Sequence, residues 1–530
     1  MKKALHFLKL FNEKLVDFSD YFSIRKKNLK LIVSIGLFVL GIHAFYSYLG
    51  VYKYLDRRPC SVHSWAQCQR ASIAQSYYRD NMNFFLPRTQ NYTKNGGITG
   101  VEFPIIYYSA AVCYKLFGFN EIYLRVISLS IVTLGIFFFF LLVNKFLGNP
   151  FISLATILCA FVSPVLLFYS PNFLPDAPSV GFVLMAWYFF FKFLDSNQKR
   201  DFNIFILCAT VAALLKAVAL ICLIIIICIL ILDRLKFFKS TGKIFLLASP
   251  RTVLVKIILS FAIVLSWYLY ANWLAIKYEN ETFCLRPLSV DFNVMEKLIP
   301  AVKNFWLYQY YSYESYVLLI GALLLISVLY KFANKLLVTI TLLYILGSAC
   351  YVILFAGQFI NHDYYIITII PSVFFLLLSF ANVITKLANT HFITFKVLLF
   401  VTLFFNLKEC LKNCKLNYNE RYSSESLYWS YVERSFYDLE PKLRMAGIKR
   451  TDVTLAAFDE TFCNDLYLMD QIGYPINTGT TENALASIIA RPESKYLVVT
   501  DSSKFRKLYP YDLSSKIILY HRGLLVYKLK

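Results

Sequence analysis

The sequence predicts an all-α polytopic membrane domain of about eleven spans, with external juxtamembrane helices, followed by a small C-terminal extracytoplasmic α/β domain. Three observations lead there. Apolar residues make up 58% of the 530, against roughly 45–50% in a soluble domain, and mean hydropathy is +0.56. Stretches such as Ile204–Leu232 and Leu336–Phe355 reach the length of about 20 apolar residues that a helix needs to cross a bilayer. The net charge of +22 would by itself suggest nucleic acid or another acidic partner. Here the basic residues gather at span ends, so the partner they indicate is membrane lipid and not nucleic acid.

The spans are expected at about 31–49, 122–143, 150–169, 179–194, 202–216, 218–232, 254–274, 316–330, 336–356, 364–385 and 392–407. Residues 1–30 form a basic N-terminus with Lys2, Lys3, Lys9, Lys14, Arg25, Lys26, Lys27 and Lys30, which the positive-inside bias puts in the cytoplasm. The first apolar run is long enough to stay as an anchor, and no cleavable signal peptide is visible. With that start, the loops holding Lys145, Lys192, Lys199, Arg200, Arg234, Lys236, Lys239, Lys243, Arg251, Lys331, Lys335 and Lys386 all fall on the cytoplasmic side. The expected location is therefore the plasma (inner) membrane. A large external loop, 50–121, sits within the membrane domain 31–407, and residues 408–530 are periplasmic or extracellular.

Phe103–Phe117 is apolar and helical in period but short. Were it to span, every later loop would invert, so it is expected at the outer interface. Ala66–Tyr78 has the spacing of an amphipathic helix, with Ala66, Arg70, Ile73 and Tyr77 on one face, and is expected to lie over the outer surface. In the tail, 452–458, 496–500, 516–520 and 524–529 read as strands, with a hairpin turn at His521-Arg522-Gly523. Segments 424–445 and 482–489 have helical period. Twelve cysteines show no metal spacing; Cys60/Cys68 and Cys410/Cys414 fall in external segments, where pairing is open.

Charged groups at membrane depth are costly and tend to be functional. Glu102 follows a polar stretch and precedes the interfacial helix; an acid favours a helix start, and it can also line an external cavity. Asp176 sits in Ser170-Pro171-Asn172-Phe173-Leu174-Pro175-Asp176-Ala177-Pro178, where the prolines forbid a continuous helix. An N-cap would account for the acid but not for so rigid a turn around it. Lys216 interrupts the run from Ile204 to Leu232 on the expected external side, against the charge bias. Snorkelling is one explanation; a phosphate partner for its point charge is the other. Asn361-His362-Asp363-Tyr364-Tyr365 opens a later span with a concentration of hydrogen-bonding groups.

The order of these pieces resembles the C-type glycosyltransferases, specifically the polyprenyl-phosphate-dependent family of protein O-mannosyltransferases and lipid A aminoarabinose transferases. The residues that carry the resemblance are His63-Ser64-Trp65-Ala66-Gln67 with Ile73-Ala74, Asn83-Phe84 with Pro87-Arg88, and Glu102-Phe103-Pro104 with Tyr114-Lys115-Leu116-Phe117-Gly118. Arg125, Pro175-Asp176-Ala177-Pro178, Leu215-Lys216 and His362-Asp363-Tyr364-Tyr365 with Pro371 continue the series, which covers about residues 30–385. The resemblance implies a sugar donor on polyprenyl phosphate and transfer to a protein or glycan acceptor by inversion. It further implies Asp176 and Glu102 as catalytic carboxylates, and Lys216, Arg70, Arg88, His362, Asp363 and Tyr364 around the donor. His63, Trp65, Gln67 and Gln69 would belong to the acceptor loop.

No cofactor is required, although Glu102, Asp176 and His362 form a donor set able to hold a divalent cation. One departure stands out. The family carries a carboxylate in the helix that Ala66–Tyr78 would form, and this chain has no Asp or Glu between Asp56 and Asp80. Asp176, Glu102, or a folded-back Asp56 or Asp80 would have to take its place, or the activity is altered. The competing classes are a lipid-linked sugar flippase or transporter, for which charges near span midpoints are expected, and a non-catalytic membrane scaffold.

Overall fold

The computed structural model describes residues 27–92, 96–238, 250–280, 290–390, 394–423, 435–436, 438–508 and 513–530. The basic segment before Lys27, Lys239 and Lys243, and most of the helix expected at 424–445 lie outside the described residues.

The membrane half runs α1 (Lys27–Leu49), α2 (Ser64–Arg79), α3 (Ile105–Phe117), α4 (Ile122–Leu147), α5 (Pro150–Phe161), α6 (Pro164–Tyr169), α7 (Asp176–Ser196), α8 (Lys199–Leu215) and α9 (Ile221–Arg234). It continues with α10 (Pro250–Lys277), α11 (Phe292–Ala301), α12 (Leu307–Tyr310), α13 (Tyr313–Val328), α14 (Lys335–Leu354), α15 (Ala356–Asn361), α16 (Pro371–Thr390) and α17 (Thr394–Tyr422). Among the described residues, seven helices are long and apolar enough to cross a membrane, or eight if the pair Phe292–Tyr310 and Tyr313–Val328, bent by 94°, is one span.

The expected eleven therefore differ at identifiable places. The span expected at 150–169 is broken into α5 and α6, because Ser163 caps a new helix through the Leu166 amide and Pro164 starts it. Residues 316–330 follow the sharp bend. The last expected span continues as one 29-residue helix to Tyr422, so the boundary expected near 408 falls inside a helix. At 13 residues, α3 is about 20 Å long, too short to cross, in keeping with an interfacial helix.

Two glycines set the tightest contact in the bundle. A Cβ on Gly135 of α4 would lie 2.3 Å from the Gly181 carbonyl oxygen of α7, and one on Gly181 would lie 2.7 Å from the Ile131 oxygen. Small residues let helix backbones approach this closely in a bilayer, where packing rather than water drives association. Gly181→Val is expected to cost about 1–3 kcal/mol by overpacking, read as a lower unfolding temperature in detergent; an unchanged temperature would contradict this packing.

Helix α7 also measures the bundle. At 1.5 Å per residue its 21 residues put Asp176 about 30 Å from the end where Asp195 pairs with Lys145 and Lys192 pairs with Asp201 at 3.1 Å. Lys145 and Lys192 are thus at the opposite end of α7 from Asp176.

The C-terminal domain contains α18 (Glu440–Met445), β1 (Val453–Ala457), α19 (Asn464–Met469), β2 (Gly473–Ile476), α20 (Glu482–Ala490), β3 (Ser494–Val499), α21 (Ser502–Leu508), β4 (Ile517–His521) and β5 (Leu524–Lys528). The strand order is β2-β1-β3-β5-β4, parallel among the first three and antiparallel at β5 and β4. The four strands and the turn legible in sequence are present, and Arg522 and Gly523 take φ of 46° and 87° at that turn. Strand β2 is not legible in sequence because Gly473 and Pro475 suppress a strand reading. It is an edge strand, and its free side is covered: the Gly473 amide donates to the Gln90 oxygen (3.0 Å) and the Tyr92 amide to the Gly473 oxygen (2.6 Å). The external loop thereby extends the sheet by one strand-like segment.

This docking changes the expectation for α2. Instead of lying on the surface, its polar residues Gln67, Gln69, Ser72 and Gln75 are buried, because the C-terminal domain packs over it. Arg79 at its end pairs with Asp470, and Arg58 pairs with Glu121 beside Tyr467.

Candidate active site

The rigid turn before α7 is held by a cation that the sequence places at the head of α4. Arg125 is fully buried, and its Nε donates to the Arg57 oxygen (2.7 Å), Nη1 to the Pro171 oxygen (2.7 Å) and Nη2 to the Arg58 oxygen (3.2 Å). Its guanidinium carbon lies 4.6 Å from the centre of the Phe173 ring. A guanidinium carries five donors in a fixed fork, so this one side chain ties the external loop to the Ser170–Pro178 turn. That turn delivers Asp176 as the first residue of α7, 1% exposed.

Opposite it, α8 ends at Lys216, whose extended backbone (φ −150°, ψ 111°) breaks the run between two helical segments. Its Nζ lies 2.7 Å from Asp176 Oδ1, and its charge faces the rings of Tyr365 at 4.6 Å and Tyr364 at 5.5 Å. Beside this pair is a second. Arg70 of α2 donates through Nε and Nη2 to the two oxygens of Glu102, at 3.1 and 3.2 Å. Glu102 also accepts from the Tyr107 hydroxyl, and Gln69 accepts from Arg70. Burial alone would raise the Glu102 carboxyl, but Arg70 and these hydrogen bonds hold it below its ordinary range. Glu102 is therefore a fixed anion rather than a proton carrier.

Asp363, His362, His63 and Trp65 form the next layer. His63 has a left-handed backbone (φ 53°), an uncommon state for a side-chain-bearing residue. This aims its ring at His362 (5.4 Å) and Tyr364 (5.2 Å), with Trp65 against both histidines. Burial and the neighbouring His63 push His362 down to about 4, so its imidazole is neutral at pH 7, and it bonds the Gln358 carbonyl. Asp363 is fully enclosed: it pairs with Arg421 at 2.8 Å and His63 at 3.3 Å, and accepts from the Tyr169 hydroxyl at 2.9 Å. Burial would raise its carboxyl, and Arg421 with His63 outweighs that and holds it well below the carboxylate range.

The structure thus brings Glu102, Asp176, Lys216, Arg70, Tyr364, His362, His63, Trp65 and Gln69 together. It corrects the expectation for others. Asp363 belongs to the frame behind the site, since it is fully buried and its oxygens face Arg421, His63 and Tyr169. Gln67 braces the external loop by donating to the Cys60 and Val62 oxygens at 2.8 and 2.9 Å. Arg88 lies elsewhere, in a bridge with Ile98 and electrostatically beside Asp80, so Arg70 is the arginine of the cluster. Asp80 caps the C-terminal end of α2 beside Arg79 and Arg88, and Asp56 is exposed. Glu102, Asp176 and His362 do not converge as a metal donor set. Each carboxylate has its own cation, and among the described residues no group of three such side chains is placed to hold a metal. Cys410 and Cys414 share one helix, and the Cys410 sulfur faces the Ser312 and Ser315 hydroxyls at 3.0 and 3.1 Å.

Behind the segment that carries Tyr364 and Tyr365 lies an apolar cavity of about 320 Å³, lined by Tyr310, Tyr311, Phe359, Ile366, Ile369 and Val373 among others. Tyr365, whose ring faces Lys216, packs against Phe359 of that lining with ring centres 6.0 Å apart. Tyr107 and Tyr365 belong to the site, and Arg421 and Tyr169 to the frame around Asp363; Tyr365 stands in the His362–Tyr365 run, and no signal in the sequence singles out the other three.

Residues 102–272 match the sequence model of the dolichyl-phosphate-mannose-protein mannosyltransferase family. Comparison with curated proteins gives no significant match. Among solved structures, ArnT from Cupriavidus metallidurans in the apo state superposes with a TM-score of 0.62 at 11% identity, over 94% of this chain and 98% of that one. The same protein bound to undecaprenyl phosphate gives a TM-score of 0.58 at 12% identity, over 93% and 98%. The likeness to ArnT is one of fold, and the sequence match covers the segment that supplies Glu102, Asp176 and Lys216. Residues 102–272 are thus similar to that mannosyltransferase family, and the chain as a whole has a fold like that of ArnT.

Proposed function

We propose that the protein transfers a sugar from a polyprenyl-phosphate donor to an acceptor hydroxyl or phosphate at the extracytoplasmic face of the plasma membrane, with inversion at the anomeric carbon. The observation that carries this reading is the Lys216–Asp176 pair at 2.7 Å, with Lys216 over the Tyr365 ring, which packs against Phe359 of the apolar cavity's lining. The cavity takes prenyl chain, and the phosphate is brought to Lys216 as a competing anion. When Lys216 turns to the phosphate, Asp176 loses its partner and becomes an available base.

For a hydroxyl acceptor, Asp176 removes the proton as the acceptor oxygen bonds the anomeric carbon from the face opposite the phosphate. The bond from that carbon to the phosphate oxygen breaks and its electron pair stays on polyprenyl phosphate. Lys216 and Arg70 stabilise the growing charge, an electrostatic effect of several kcal/mol in a site that excludes water. The neutral His362 and Tyr364 hydrogen-bond sugar or phosphate. No cofactor takes part in these steps.

One observation favours a non-catalytic scaffold: α2 offers no carboxylate, and Gln69 and Glu102 are both engaged by Arg70. The test is incubation of purified protein with a polyprenyl-phosphate sugar and an envelope extract as acceptor. Release of free polyprenyl phosphate is the expected result. Intact donor that only changes leaflet would indicate a flippase, and intact donor that stays in place a scaffold.

A further inference from the structure

The C-terminal domain has a feature that the steps above leave unused. Its strands β2, β1 and β3 are parallel with β1 in the middle. The chain passes from β1 to its neighbour β2 and then back to β3 on the other side. Outside the carboxyl ends of such strands, where the order reverses, an α/β sheet leaves a crevice.

Here the crevice is closely built. Asp459 folds the loop after β1, accepting from the Thr461 amide (2.8 Å) and hydroxyl (2.5 Å) and from the Asp465 amide (3.1 Å). Glu460 accepts from the Thr478 amide at 2.9 Å, tying in the loop after β2, and the Thr500 hydroxyl accepts from the Phe458 amide at 3.0 Å, tying in the end of β3. On this fixed loop Phe462 keeps 38% of its surface exposed, with Glu460, Asn477 and Asp501 also exposed around the rim. The next residue, Cys463, is buried and lies electrostatically beside Ser72 and Arg70 of α2. The loop after β1 thus meets the helix that carries Arg70.

We infer that this rim is an acceptor subsite and that it binds the polyhydroxylated chain of a glycan. A pyranose offers an apolar C–H face, which an exposed aromatic ring covers, and a girdle of hydroxyls, which planar carboxylate and amide groups bond. Phe462 and Cys463 are consecutive residues, their Cα atoms about 3.8 Å apart. A glycan gripped at the rim therefore presents its neighbouring sugar units to the helix that carries Arg70. This inference rests on the transferase reading and names its acceptor class.

The experiment uses the full-length enzyme, a polyprenyl-phosphate sugar labelled in the sugar, and native envelope membranes as acceptor. Two products are counted: label in acceptor and free labelled sugar. Phe462→Ala is expected to lower the ratio of transfer to hydrolysis about tenfold at low acceptor, and excess membranes restore it; Glu460→Gln shifts the ratio in the same direction. Membranes oxidised with periodate, which cleaves vicinal diols, should fail as acceptor for the wild type. Three results overturn the inference: a ratio within twofold of wild type, parallel loss of both products without rescue by acceptor, or full labelling of oxidised membranes. If the wild type yields neither product, the transferase reading itself fails and the subsite falls with it.

Discussion

Asp176→Asn is expected to reduce transfer from a lipid-phosphate sugar to a hydroxyl acceptor by about 10²–10⁴-fold, the usual worth of a positioned general base. The amide keeps the shape of the side chain and can still bond Lys216, so the turn pinned by Arg125 stays intact. It cannot accept the hydroxyl proton. Because Lys216 would no longer be held by a full negative charge, donor binding should be unchanged or tighter, and the loss should appear in kcat rather than in KM for the donor. Initial rates at several donor concentrations separate these. Transfer near the wild-type rate would remove Asp176 from the base role and leave an acceptor that arrives already ionised.

The second large effect is on stability. Arg421 and Asp363 are both fully buried and 2.8 Å apart. Breaking a buried pair by removing one partner leaves an uncompensated charge and costs about 3–5 kcal/mol. Arg421→Met should therefore produce a marked fall in unfolding temperature in detergent. Adding Asp363→Asn should recover part of that loss, since the orphaned charge is then gone, a coupling that two single variants and the double variant measure. Equal losses that simply add would show that the pair does not act as one unit. His63 is held through Asp363, so Arg421→Met should lower activity as well, although Arg421 itself touches no reacting group.

Much of the membrane architecture was legible because a bilayer imposes length and apolarity on every span. The unusual charges could be found for the same reason: Lys216 is conspicuous inside an apolar run. What could not be read is which cation faces which carboxylate. Arg70 and Arg88 are equivalent by composition, and only the fold of the external loop sends one to Glu102 and the other to the neighbourhood of Asp80. Arg421 was hidden for a different reason. Its segment is polar enough to suggest a soluble domain, yet it extends α17 and ends within a buried cluster of Tyr418, Tyr422 and Asp363.

Helix boundaries depart from the hydropathy reading where local stereochemistry overrides it. Ser163 and Pro164 restart a helix inside an apolar stretch. The burial of α2 was illegible because it depends on a domain encoded hundreds of residues later, through contacts such as Gly473 with Gln90. The same docking places the Phe462 loop near the site, and no periodicity in either segment signals it.

The most direct measurement is a structure of the protein with polyprenyl phosphate bound. The phosphate is expected within hydrogen-bonding distance of Lys216, the prenyl chain in the cavity lined by Tyr310, Phe359 and Ile369, and Asp176 released from the 2.7 Å contact it makes with Lys216. A phosphate bound elsewhere, with the Lys216–Asp176 pair still closed, would contradict the proposed role of Lys216.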